Sequence, residues 1–274
     1  MLPLFSDHLP TNADDLAQMI EQSLRQLVDT QSDIVALVDK AFPELRELHV
    51  NLDGARLRTD ALRPHSVSGE TTPAFQVEVF ELSARGISVE AMPLDLRIHA
   101  DNLQLHQGRD RNQKLVLVLH AADLGWIDVS VAKVDLEKLI LAVAKREADK
   151  QGVAIEDLKL SLRSAGARAI EGIVQLRARK LFLRSVIRIT ARLEIDEKLS
   201  AKLSGLNCTG EGAIGAMASN LLRPHLQQLD GRKLNLAALA LGEISLRDIE
   251  IAANERLRIT AKFGRAAQRA SSFA

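Results

Sequence analysis

Apolar positions along this chain follow two different periods. Over residues 12–40 they recur at helical spacing: Leu16, Met19 and Ile20, then Leu24 and Leu27, then Ile34, Leu37 and Val38. This predicts one amphipathic helix, capped by Asn12, with Asp14 and Asp15 at the positive end of its dipole and a stop at Pro43. From Leu48 the period becomes two. Leu48, Val50 and Leu52 alternate with polar residues, as do Phe75, Val77 and Val79, and Leu94, Leu96 and Ile98. Leu115, Leu117 and Leu119 follow with valines between them. Between these runs, Arg63 to Pro73 holds prolines, a glycine and hydroxyl residues and reads as a loop.

A second helix is expected from Val134 to Gln151, ended by Gly152. Strands resume at Leu158, Leu160 and Leu162. From Val186 to Asp196, Ile187, Ile189, Ala191, Leu193 and Ile195 point one way while Arg188, Thr190, Arg192 and Glu194 point the other. Leu199, Ala201 and Leu203 continue that pattern. A third helix, Gly212 to Leu229, starts with small residues and contains Pro224, which interrupts its hydrogen-bond ladder. Two strands end the pattern, Ile244 to Ile251 and Leu257 to Phe263, with Asn254 at the turn between them, and Arg265 to Ala274 reads as a tail. Several strands lie between successive helices, so the expected class is α+β with a mostly antiparallel sheet.

Composition narrows the chemistry. The chain has seven Phe, one Trp and no Tyr, too few rings for a surface that stacks nucleic-acid bases, so no nucleic-acid partner is expected. Its apolar matter is Leu, Ile, Val and Ala, which suits an aliphatic core or an aliphatic ligand. Formal net charge is zero, so any attraction to a charged surface is local. The N-terminal 45 residues are acidic. In contrast Arg163, Arg168, Arg177, Arg179, Lys180, Arg184, Arg188 and Arg192 occupy a stretch whose one acid is Glu171. The lone Cys208 rules out an internal disulfide. Seven dispersed histidines include no HExxH pair, and neither a Walker A motif nor a GxSxG elbow occurs, so a non-catalytic protein with no metal and no cofactor is expected. Gly210-Glu211-Gly212 with Gly215 lacks the full spacing of a phosphate-binding turn. The first residues carry no basic, apolar leader, and no apolar run is long enough to span a bilayer. The expected localisation is cytoplasmic, with membrane-peripheral contact.

Three stretches carry a family resemblance. They are Val131-Ala132-Lys133-Val134-Asp135-Leu136-Glu137-Lys138-Leu139, the alternating run from Ile155 to Leu203, and Leu221 to Phe263 with Leu234-Asn235-Leu236 inside it. Together they resemble the tubular lipid-binding (TULIP) superfamily, and within it the bacterial LmeA-like phospholipid-binding proteins, over about Leu45 to Phe263. The resemblance implies a highly curved sheet wrapped around amphipathic helices, with an apolar groove for acyl chains. It divides the chain into an acidic N-terminal helix (1–44), one TULIP-like domain (45–264) and a tail (265–274). The expected function is binding, or transfer, of a lipid or phospholipid, with contact to an anionic membrane surface. The alternative is a structural or protein-interaction module with the same fold and a filled core. Candidate groove residues are Leu139, Val143, Ile187, Ile189, Leu193, Ala216, Leu222, Leu226 and Ile259. Candidates for the head-group are Arg177, Arg179, Arg188 and Arg192, because a guanidinium fork matches a phosphate.

Overall fold

The computed structural model describes residues 2–265 except 5, 59–66, 68, 90, 91, 151, 181, 182, 213, 214, 217–225 and 237–243. Pro224, Leu222, residues 63–66 and 68 of the expected Arg63–Pro73 loop and residues 266–274 of the expected tail lie outside the described residues.

The chain begins with β1 (Leu2–Pro3), α1 (Ala13–Leu27), β2 (Val28–Asp29), β3 (Val35–Ala41), β4 (Glu44–Asn51) and β5 (Arg56–Leu57). Two 18-residue strands follow, β6 (Thr72–Val89) and β7 (Met92–Arg109), then β8 (Leu115–Ala121) and β9 (Leu124–Ala132). Next come α2 (Lys133–Asp149), β10 (Ala154–Ser164), β11 (Ala169–Lys180), β12 (Leu183–Ile195), β13 (Ser200–Gly210) and β14 (Lys233–Asn235). The last strands are β15 (Leu246–Ala253) and β16 (Arg256–Phe263). One sheet runs β15-β16-β9-β7-β6-β4-β3, and the other runs β10-β11-β12-β13-β14. β4 and β5 lie parallel to β6, while β3–β4, β6–β7, β7–β8 and every pair of the β10–β14 sheet are antiparallel, so the class is α+β with mostly antiparallel sheets.

Contacts divide the chain into two compact units. Unit 1 holds residues 1–129, 238–248 and 260–274, and unit 2 holds 130–237 and 249–259. The chain passes between them inside β9, β15 and β16.

The expected helix over 12–40 is corrected: it stops at Leu27, and Val35–Ala41 is a strand paired with β4. Its N-terminus follows expectation, since the Asn12 side chain accepts from the Asp15 amide at 2.8 Å. Leu16, Ile20 and Leu24 form its buried face. Beyond Leu27 the polar run Thr30-Gln31-Ser32-Asp33 breaks the pattern. Ile34, Leu37 and Val38 also fit a strand, where β-branched side chains pack well. Pro43 therefore sits in the turn between β3 and β4 instead of ending a helix.

Unit 1 packs α1 against sheet residues that include Leu45, Leu48, Val77, Leu103 and Leu117, all nearly inaccessible. Asp53, just past β4, ties this sheet together. It accepts from the Ser83 hydroxyl, the Arg85 amide and Arg85 Nε, each at 2.7 Å. Burial alone raises its pKa, but the hydrogen bonds from Arg85 and Ser83 more than reverse this and hold it at about 2. A depressed carboxylate contributes stability that is complete above its unfolded pKa near 4 and is lost as pH falls toward 2. Asp53→Asn is expected to cost about 1–2 kcal/mol at neutral pH, after discounting for solvent screening, and far less at pH ~2. Urea melts of both proteins at the two pH values check this, and equal differences at both would refute it.

Unit 2 places α2 over β10. No side chain caps the helix start. Instead the Lys133 amide donates to the Glu255 carbonyl at 3.0 Å, which satisfies one of the exposed first-turn donors. At the other end Gly152 takes φ +64°, and the Val153 amide donates back to Ala148 at 3.1 Å, a left-handed C-terminal cap. The Glu137 side chain reaches the outward amide of Leu160 at 2.8 Å, so the edge strand β10 has one backbone donor already occupied. Ser164 Oγ and Ala253 bond reciprocally, joining the end of β10 to β15.

Candidate functional site

Strand register fixes the two faces of the β10–β13 sheet. On the inner face, Leu158, Leu176 and Ile187 lie abreast, next to a row of Leu160, Val174, Ile189 and Cys208. Beyond these come Leu162, Gly172 and Ala191, then Ile170, Leu193 and Leu203. Ile155, Leu158, Leu160, Leu176 and Ile187 are buried in a core that includes Leu136, Ile140, Leu141, Ala144 and Ala148 of α2, and Leu226. The coverage then runs out. Leu162, Ile170, Val174, Ile189, Leu193 and Leu203 remain half-buried, and α2 has no fully buried residue over its 17 positions.

The candidate groove residues divide accordingly. Ile187, Ile189 and Leu193 share the inner face, and Leu226 packs against the same core. Leu139 and Val143 flank the packed face of α2, and Val143 is 43% exposed. Ile259, on β16, and Ala216 are exposed. Leu222 lies outside the described residues. The small residues at the start of the third helix pack closely: a Cβ on Gly215 would lie 2.4 Å from the backbone of Gly210. That close approach removes space at this point, and the helix start does not widen a groove there.

Arg177, Arg179, Arg188 and Arg192 occupy the opposite, outer face, because alternation along β11 and β12 turns them away from Ile187, Ile189 and Leu193. β11 and β12 do pair, and Arg179 stands directly across from Arg184. Arg192 and Arg163 share the carboxylate of Glu171, with Arg192 Nη1 at 3.0 Å. The hydrogen bond from Arg163, backed by its charge and that of Arg192, holds the Glu171 carboxyl below the usual range. A hollow of about 400 Å³ beside this trio is lined by residues of both faces, Leu162, Gly172 and Ala191 from one and Ser161, Ile173 and Thr190 from the other.

A polar cluster in unit 1 is not visible in sequence spacing. His49, Glu81 and His99 lie abreast on β4, β6 and β7. Glu81 is 3.3 Å from His49 Nδ1 and 3.5 Å from His99 Nδ1, while Glu47 and Asp101 hold the two Nε2 atoms at 3.0 and 3.1 Å. His99 stacks on Trp126 with ring centres 5.8 Å apart, and His106 stacks on His120 at 3.6 Å. Only strand register reveals these neighbours, since 32 residues separate His49 from Glu81. Among the described residues no three His, Cys, Asp or Glu side chains are placed to share a metal ion, and no helix is long and apolar enough to cross a membrane.

No protein family model, curated protein or solved structure matches this chain.

Proposed function

We propose that unit 2 binds a lipid or phospholipid, without catalysis, along the inner face of β10–β13 beside α2. The observation that carries this reading is the half-covered aliphatic strip Leu162, Ile170, Val174, Ile189, Leu193 and Leu203, which continues directly from a buried core. A contiguous, partly exposed aliphatic surface of this kind suits an apolar ligand. An acyl chain burying about ten methylenes there gains roughly 0.8 kcal/mol for each, enough to offset ordinary association costs. In this reading the strands form the curved wall implied by the resemblance to the TULIP superfamily and its LmeA-like members. The four arginines face away from this strip and are not part of the groove.

Native mass spectrometry of freshly purified protein is expected to find phospholipid bound. Val174→Asp combined with Ile189→Asp is expected to lower uptake of a fluorescent phospholipid by more than roughly tenfold, because each charge would sit in the acyl path. A clean apo mass together with no uptake from vesicles would refute the reading. That outcome favours the alternative, an interaction module with a filled core, which the Gly210–Gly215 backbone contact supports.

A further inference from the structure

The outer face of the same sheet carries a charge pattern that the groove does not use. Toward the β11–β12 hairpin it presents Lys159, Arg177, Arg179, Arg184 and Arg188 against the carboxylates of Glu156 and Asp157. Glu156 is held by Arg179 at 3.1 Å. The side chains of Lys159, Arg177, Arg184 and Arg188 are exposed and make no ion pair among the described residues. Arg179 and Arg184 are cross-strand neighbours, and like charges directly opposite one another weaken a sheet. Farther along the face, Arg163 and Arg192 both bind Glu171.

We propose that this face docks unit 2 onto an anionic phospholipid bilayer. Charge complementarity identifies the partner, because guanidinium forks on a broad sheet face match a surface of phosphates. Val186 is 38% exposed in the midst of the cations, opposite Arg177. An aliphatic side chain among arginines suits the boundary between head-groups and acyl chains. A nucleic acid fits less well: among the described residues of β10–β13 none is aromatic, so these strand positions offer no ring for a base to stack on. The docking face and the proposed lipid strip are opposite sides of one sheet, so the two can be tested separately.

The test is vesicle flotation of the full chain with phosphatidylcholine alone and with phosphatidylglycerol added. The wild type is expected to float only with the anionic vesicles, and added salt is expected to weaken this binding. Arg184→Glu with Arg188→Glu is expected to reduce binding at least about tenfold, and Arg184→Lys with Arg188→Lys to retain most of it. Arg97→Glu, an exposed change in unit 1, is expected to leave binding unchanged. Circular dichroism confirms folding, and single Arg184→Gln and Arg188→Gln variants give the same reading if the charge-reversed protein unfolds. Failure of the wild type to bind anionic vesicles, an equal loss with Arg97→Glu, or tighter binding to a single-stranded oligonucleotide at the same salt would overturn the proposal. Phospholipid that still co-purifies with a charge-reversed protein unable to float would leave the groove reading standing on its own.

Discussion

Phe263→Ala is expected to destabilise unit 1 by about 3–5 kcal/mol, the range for deleting a fully buried aromatic side chain. Phe263 is 1% exposed and belongs to the main core, although it stands at the end of β16, far along the chain from most of its neighbours. Its ring lies against Gly125, where a Cβ would fall 2.2 Å from the ring. The two residues are therefore matched in size. Gly125→Ala is expected to be destabilising by about 1–3 kcal/mol through overpacking, and Gly125→Ala with Phe263→Leu to cost less than the sum of the single changes. Urea unfolding of the four proteins completes the cycle. Strict additivity, or a Phe263→Ala protein within about 1 kcal/mol of wild type, would contradict the packing described.

The second large effect is expected at Gly215. Its Cα faces the backbone of Gly210, and an added Cβ would also come 2.8 Å from Ser185 Oγ. A clash with backbone cannot be relieved by side-chain rotation, so Gly215→Val must push the helix start away from the end of β13. Ser185 is buried and donates to the Glu211 carbonyl beside this contact, so the substitution is expected to disturb that bond as well. A loss of about 2–4 kcal/mol is expected, with faster amide exchange at Gly210 and Glu211. Gly172→Ala provides the contrast. Its added Cβ would meet Leu162 Cδ2 at 3.4 Å, close to ordinary contact, and a change below about 1 kcal/mol is expected. Equal effects at the two glycines would remove the argument for backbone contact at Gly215.

Where one face is wet and the other dry, the alternating pattern locates strands reliably, and β4, β7, β10 and β12 all follow it. It also separates Ile187, Ile189 and Leu193 from Arg188 and Arg192 before any partner strand is known. The pattern fails where a short segment satisfies both periods. Ile34, Leu37 and Val38 are spaced for a helix and yet lie at or beside β3, which is fixed by its pairing with β4. Along β11, Gly172 leaves a gap in the aliphatic row of Ile170, Val174 and Leu176. The cluster of His49, Glu81 and His99 depends on register across three strands, which local spacing does not encode. Division into two units was equally hidden, because hydrophobic pattern marks which residues are buried without saying which distant segment buries them.

Because each unit draws strands from distant parts of the chain, order of synthesis constrains when either can form. Residues 1–129 leave the ribosome first, but their core still lacks Ile244 and Phe263. Unit 2 likewise waits for residues 249–259, which supply Glu255 to the start of α2 and Ala253 to Ser164. Segment-by-segment maturation during translation, the usual route for long chains, is thus closed until β15 and β16 have emerged. In the interval the nascent polypeptide carries unfinished aliphatic surface that a holdase chaperone would be suited to shield.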